Sequence, residues 1–235
     1  MGKRAILPSD PAERLHRILL IVLQTAMGIE AALLLWRRDL QDALLVLAIM
    51  AVTLLPLLLR HRLSVRMPYA FQILAVVFVF AALYLGSMQR FYVMFPWWDS
   101  VLHFSSGLLL GILGFMLIYL LNEDHRIDLS VKPLFMAVFA FTFALALGAL
   151  WEIVEFLMDV TLGTTMQTPT PGDPSGLTDT MIDLILDATG GLIIAAYGFV
   201  YVRQGSRSFI SDWIARFVQD NPDWFRRRKR FRRRP

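Results

Sequence analysis

The chain has 235 residues, of which 57% are apolar and 18% charged, a balance that excludes an ordinary soluble domain and identifies a membrane protein. It contains no cysteine, which removes disulfide scaffolds, thiolate metal sites, iron–sulfur clusters and cysteine nucleophiles together and leaves chemistry to oxygen and imidazole. The net charge of +4 hides a division, because residues 203–235 hold 11 of the 23 basic residues and 3 of the 19 acidic ones, so the tail is strongly basic and the rest is net acidic.

Apolar stretches recur at roughly 15–35, 42–59, 68–86, 101–121, 134–158 and 179–202, each near the ~20 residues that a helix needs to cross the hydrocarbon core. They predict an all-α membrane protein with six transmembrane helices, forming a first domain over 1–202. The stretches are continuous and Leu/Ala-rich and do not alternate with period two, which argues against a β-barrel. The first follows Lys3, Arg4, Arg14 and Arg17. It is too long for a signal peptide and lacks a small-residue cleavage site, so it is expected to stay in the mature chain. Between the fifth and sixth stretches, residues 160–178 carry three prolines, three glycines and no basic residue, and a loop of this length is expected to be a lid, a binding loop or a passive linker. No internal repeat of the kind that marks an inverted-repeat transporter is present.

Residues 203–235 form the second expected domain. Phe209, Ile210, Trp213, Ile214, Phe217 and Val218 recur at helical spacing and predict an amphipathic helix on the inner membrane face. Residues 226–234 follow with eight basic side chains in nine positions, for which anionic lipid is the expected partner and nucleic acid is not, because the run is tethered to the bilayer. Such a run also anchors topology. With six spans, the N-terminus, the 60–67 and 122–133 loops and the tail share one side with 20 of the 23 Lys and Arg residues, against Arg37, Arg38 and Arg90 on the other. The positive-inside rule then places both termini in the cytoplasm of a bacterial inner membrane and the 160–178 loop outside.

Ionisable side chains are rare in membrane helices, since one at the bilayer centre costs at least about 2.5–3.5 kcal/mol. The last three spans nevertheless carry eight: Asp99 and His103 at the start of span four, Glu152, Glu155 and Asp159 at the end of span five, and Asp179, Asp183 and Asp187 at the start of span six. The spacings are i,i+4, then i,i+3,i+7, then i,i+4,i+8, so each set lies on one helical face. Orientation brings the three faces to the same outer depth, where Glu30 of span one also lies. Seven carboxylates with so few cations nearby need either divalent metal ions or protons to neutralise them. Glu152, Glu155, Asp183, Asp187 and His103 lie too far inside the spans to be caps; Asp99 and Asp179 have capping or helix-dipole roles as alternatives, and Asp159 a place in solvent. Glu30 and Gln24 read as packing. Gly107, Gly111 and Gly114 on span four, with Ala188, Gly190 and Gly191 on span six, predict a close contact between those two helices.

The strings DSVLHFSSGLLLG, WEIVEF and DTMIDLILDATGG resemble, in order and at matching spacing, the three signature segments of the YjdF-like family of predicted bacterial membrane proteins. The resemblance covers about residues 95–200 and implies a small helical membrane protein without implying an activity. A weaker likeness to VanZ-like membrane proteins rests on the Asp…His pair and the Asp-rich last helix. Asp179, Asp183 and Asp187 are also similar to the terminal acids of CDP-alcohol phosphotransferases, but the Asp-Gly-x-x-Ala-Arg portion is absent, as are a zinc-protease helix, a nucleophile elbow and a phosphate-cradling loop.

Three functions compete on these grounds. The first is a divalent-metal-dependent enzyme, a hydrolase or group transferase acting on a lipid-linked or amphipathic substrate at the outer leaflet. Its metal ligands are drawn from Asp99, His103, Glu152, Glu155, Asp179, Asp183 and Asp187, with Glu152, Glu155 and Asp183 as catalytic residues. The second is a proton- or cation-coupled transporter using the same carboxylates, which the lack of acids in the cytoplasmic halves opposes. The third is a non-catalytic membrane protein whose acids stitch helices together.

Overall fold

Apolar runs of this length fold into helices because, away from water, only a helix or a closed barrel pairs every backbone N–H and C=O. The computed structural model describes residues 11–59, 68–123, 131–204 and Phe217. Lys3 and Arg4, the 60–67 loop, most of the 122–133 loop and, Phe217 apart, the expected amphipathic helix and basic run lie outside the described residues. The helices are α1 (Pro11–Trp36), α2 (Leu40–Leu59), α3 (Tyr69–Val79) continuing into a π-helical segment Phe80–Met88, the short α4 (Phe91–Met94), α5 (Trp98–Glu123), α6 (Pro133–Leu162) and α7 (Leu177–Gln204). Five of them, counting α3 with its π extension, are long and apolar enough to cross a membrane; the qualifying apolar stretch of α2, Leu40–Leu55, is shorter. Among the described residues there is no strand, beyond one isolated antiparallel bridge between Thr170 and Asp173.

The chain forms two compact units, Met1–Phe95 and Pro96–Pro235, a division that falls within the expected transmembrane domain. In the first unit, α1 buries His16, Leu20, Met27 and Ala31 and α2 buries Ala43, Val46, Ile49 and Thr53, each set at the three- and four-residue spacing of one helical face. Met27, Ala31, Val46, Ile49 and Tyr84 form its core. Gln24 ties α1 to α2 by donating to Thr53 Oγ1 at 2.7 Å and to the Met50 carbonyl at 3.3 Å. The π segment ends where the Gln89 amide reaches back five residues to the Tyr84 carbonyl at 2.9 Å, and Arg90 then turns the chain with a left-handed φ of 60°.

The second unit is a bundle of α5, α6 and α7. Pro133, which has no N–H to leave unpaired, opens α6; Gly163, at φ 66°, closes it with its amide on the Asp159 carbonyl. The buried stripe of α6 runs Met136, Ala137, Ala140, Ala144, Gly148, Glu152, Glu155, and that of α7 runs Asp183, Asp187, Gly190, Gly191, Ile194, Ala195, Gly198. Both stripes change from carboxylates at one end to small and apolar residues at the other. The expected contact between spans four and six is present as α5 against α7: a Cβ on Gly107 would strike the Asp187 backbone, and one on Gly190 would lie 2.7 Å from the Leu108 amide nitrogen. Gly114 serves a different neighbour, since a Cβ there would sit 3.0 Å from Phe143 Cβ of α6.

Candidate functional site

The acid-bearing ends of α5, α6 and α7 meet around one imidazole. His103, on the second turn of α5, is 6% exposed. Its Nδ1 lies 3.1 Å from Asp187 Oδ2, and its Nε2 lies 3.7 Å from both Asp99 Oδ1 and Glu152 Oε1. Asp187, 0% exposed, has its other oxygen taken by the Ser106 hydroxyl, which also reaches the His103 carbonyl at 2.7 Å. One face of the ring is therefore held by hydrogen bonds. The other looks onto carboxylates at a separation too long for a direct hydrogen bond.

That separation has chemical content. Two ligands each about 2.1 Å from one ion, at the angles of a tetrahedral or trigonal site, stand about 3.4–3.7 Å apart, which is the spacing from Nε2 to Asp99 and to Glu152. One ligand atom from each of Asp99, His103 and Asp183 lies within 4.8 Å of the other two. Besides Asp187, three carboxylates in this region are at least nine-tenths buried: Glu152, Glu155 and Asp183, at 4%, 5% and 2% exposure. Neither Glu152 oxygen, nor Glu155 Oε2, nor Asp183 Oδ2 has a hydrogen-bond partner among the described residues. A buried carboxylate oxygen without a donor carries a desolvation cost that a cation would offset.

The residues singled out from the sequence fall into three groups. Asp99 and Glu152 face His103 Nε2, Asp183 groups with Asp99 and His103, and Asp187 stands behind the ring at Nδ1. Glu155, one turn along α6 from Glu152, keeps Oε1 on the indole N–H of Trp151 at 2.8 Å and leaves Oε2 open. Asp179 and Asp159 hold the connecting loop: Asp179 accepts the Thr168 amide at 2.7 Å, and Asp159 accepts the Thr164 hydroxyl and the Met166 and Gln167 amides at 2.5, 2.7 and 2.9 Å. Asp159 is thus occupied by its own loop, where the sequence pointed to solvent. Glu30 belongs to the first unit, where Tyr84 donates to one of its oxygens and Gln89 reaches both at 3.0 Å.

The 163–176 loop is internally built. Gln167 Nε2 donates to Thr180 Oγ1 at 2.7 Å, and Asp173 accepts from the amides and hydroxyls of both Ser175 and Thr178. Those hydrogen bonds, from the Ser175 hydroxyl first and then from Thr178, hold the Asp173 carboxyl well below the ordinary range.

Sequence reasoning missed Ser106, Trp151 and Gly148. Ser106 follows Asp99 and His103 at i+7 and i+3, and Gly148 precedes Glu152 by four, so the same face arithmetic reaches both. A Cβ on Gly148 would meet the Asp187 carboxylate, which marks this glycine as part of the seat of that side chain.

A family described as "Predicted membrane protein (DUF2238)" matches residues 15–204. A Thermotoga maritima protein described as "Uncharacterized protein" is 30% identical over 131 residues, which are 56% of this chain and 62% of that relative, so the match spans less than two thirds of the relative's length. No solved structure matches. The YjdF-like and VanZ-like likenesses rest on the sequence segments alone.

Proposed function

We propose, from the premise that this chain belongs to the DUF2238 family of predicted membrane proteins, that it is a divalent-metal-dependent membrane enzyme. Its substrate is a lipid-linked or amphipathic molecule and its reaction a hydrolysis or group transfer. The observation that carries this reading is the His103 imidazole, with one nitrogen held by Asp187 and the other facing Asp99 and Glu152 at 3.7 Å, beside buried oxygens of Glu155 and Asp183 that lack a hydrogen-bond partner among the described residues. Asp99, His103 and Asp183 are the ion's first ligands and Glu152 a further one. A divalent cation at this place would lower the pKa of water and polarise a phosphoryl or acyl oxygen. Glu152 and Glu155, with open oxygens in a buried site, are the groups to accept and return the proton.

The bilayer arrangement belongs to the same proposal. Six crossings, with α2 as the second, put both termini in the cytoplasm and the site near the outer leaflet of the inner membrane. The basic tail then rests on anionic lipid. The three matching segments favour the YjdF-like group within this picture. Coupled transport of a cation or proton is the weaker alternative, because the buried residues toward the other end of the bundle, Phe115, Met116, Met136, Ala140 and Ile194 among them, are apolar and offer an ion no path.

The test is elemental analysis of the purified full chain beside Asp183→Asn and His103→Ala. Stoichiometric divalent metal in the parent and its loss from both variants is expected. A metal-free parent that stays metal-free after dialysis against micromolar Zn²⁺ or Mn²⁺ would overturn the reading, and the packing-network alternative would then take its place.

A further inference from the structure

Asp187 has the placement of a ligand's support, and the distinction is chemical. Both of its oxygens are engaged, one by His103 Nδ1 and one by the Ser106 hydroxyl, and the residue is fully buried. Asp183, by contrast, keeps Oδ2 without a hydrogen-bond partner among the described residues. The Asp187 carboxylate also fills a seat shaped for it: a Cβ on Gly148 would collide with the carboxylate and one on Gly107 with the backbone carbonyl. A neutral imidazole has one N–H and one lone pair, and the hydrogen bond at one nitrogen decides which nitrogen can bind a metal. A carboxylate has no proton to give, so a hydrogen bond at Nδ1 puts a proton there, and in the neutral ring the lone pair is then on Nε2, the nitrogen that faces Asp99 and Glu152.

We infer that Asp187 and Ser106 are positioning residues that fix the tautomer and direction of His103, so that Nε2 is the atom presented to the ion. Asp187 is not itself a ligand. The inference rests on the metal-site reading above. Ser106 acts through Asp187: its hydroxyl occupies the oxygen that would otherwise let the carboxylate turn away from the ring. Outer-layer partners of this kind typically set metal affinity by 10–100-fold without changing the number of ions bound.

The test uses detergent-solubilised full chain with Zn²⁺ as probe, followed by calorimetry and by ¹⁵N NMR of the histidine rings. Asp187→Asn keeps the shape, but its amide can donate to Nδ1 and so favours the Nε2–H tautomer. It is expected to weaken Zn²⁺ about 10–100-fold with one-to-one stoichiometry retained. Ser106→Ala should lose less, and Ser106→Thr, which restores the hydroxyl, should recover the parent value. In the metal-free parent, His103 Nδ1 should carry a proton, and in Asp187→Asn it should not. Loss of stoichiometric Zn²⁺ from Asp187→Asn, matching Asp183→Asn, would make Asp187 a ligand and overturn the inference; so would unchanged affinity. The NMR arm separates this failure from failure of the metal reading. A parent that binds no Zn²⁺ but has a proton on Nδ1, donated in a hydrogen bond to Asp187, defeats the metal site and keeps the positioning, whereas an unprotonated Nδ1 defeats the positioning whatever the metal result.

Discussion

The two units treat buried acids in opposite ways. In the first, Glu30 is met by the Tyr84 hydroxyl and the Gln89 amide, so its oxygens serve to join helices, while Gln24 spends Nε2 on Thr53 and the Met50 carbonyl and keeps Oε1 without a partner among the described residues. In the second, α5, α6 and α7 bury Glu152, Glu155 and Asp183 more deeply and leave oxygens of all three without a donor. A satisfied network stabilises its fold, while an unsatisfied one costs stability and is retained where function requires it. Burial of an acid is therefore not the diagnostic; the state of its remaining lone pairs is.

The largest effect that would break this comparison is a reversal of sign. Asp183→Asn should abolish metal binding yet leave the metal-free protein as stable or more so, by about 1–3 kcal/mol, because it replaces a buried carboxyl whose Oδ2 has no donor among the described residues with an amide. Glu30→Ala should do the opposite, leaving metal binding intact and lowering stability by about 1–3 kcal/mol through the Tyr84 hydroxyl it orphans. Thermal unfolding in detergent with and without Zn²⁺ reads both. Tyr84→Phe added to Glu30→Ala should then cost little more than Glu30→Ala alone, since the partners form one interaction. Additive losses would dissolve the network assigned to the first unit.

The helices and the acid stripes were legible in the sequence because both are periodic: apolar runs near the length of a bilayer, and carboxylates at i,i+3 and i,i+4. The structure starts α5 at Trp98, α6 at Pro133 and α7 at Leu177, within three residues of the apolar limits. The convergence of Asp99, His103, Glu152, Asp183 and Asp187 followed from helix direction. The π segment at Phe80–Met88 was not legible, because a shift from i−4 to i−5 hydrogen bonding leaves no mark in an apolar string. The division of labour among the acids was equally hidden. Asp187 and Asp183 have the same residue type and lie on the same face of α7, and they differ in what stands opposite: Ser106 and the Nδ1 side of His103 for one, an open position for the other. That difference is set by side-chain rotamers and by the room left at Gly107 and Gly148.

A smaller effect sharpens the separation of site from loop. Asp159 and Asp179 spend oxygens on backbone amides of the 163–176 segment. Asp159→Asn should therefore speed hydrogen exchange at Met166 and Gln167, change stability by about 1 kcal/mol or less for a half-buried group at the loop, and leave metal stoichiometry unchanged. Loss of metal in this variant would show that the loop is part of the ion's enclosure.

The smallest effect concerns Asp173, which stands outside the helices and binds nothing but its own turn. Its carboxyl is lowered by the hydrogen bonds from Ser175 and Thr178, so the charged form is the one that the fold favours. The sign follows from linkage: a depressed folded-state pKa contributes stability in full above the unfolded value, about 3.9 for Asp, and that contribution is lost as pH falls through the lower folded value. Asp173→Asn should reduce amide protection at Ser175 and Thr178 at neutral pH. The gap between variant and parent should stay constant down to about pH 5, and it should close in strong acid, where the parent's carboxyl also becomes neutral. A gap that widens on acidification, or one that vanishes already near neutrality, would mean that these four hydrogen bonds do not hold the entry to α7.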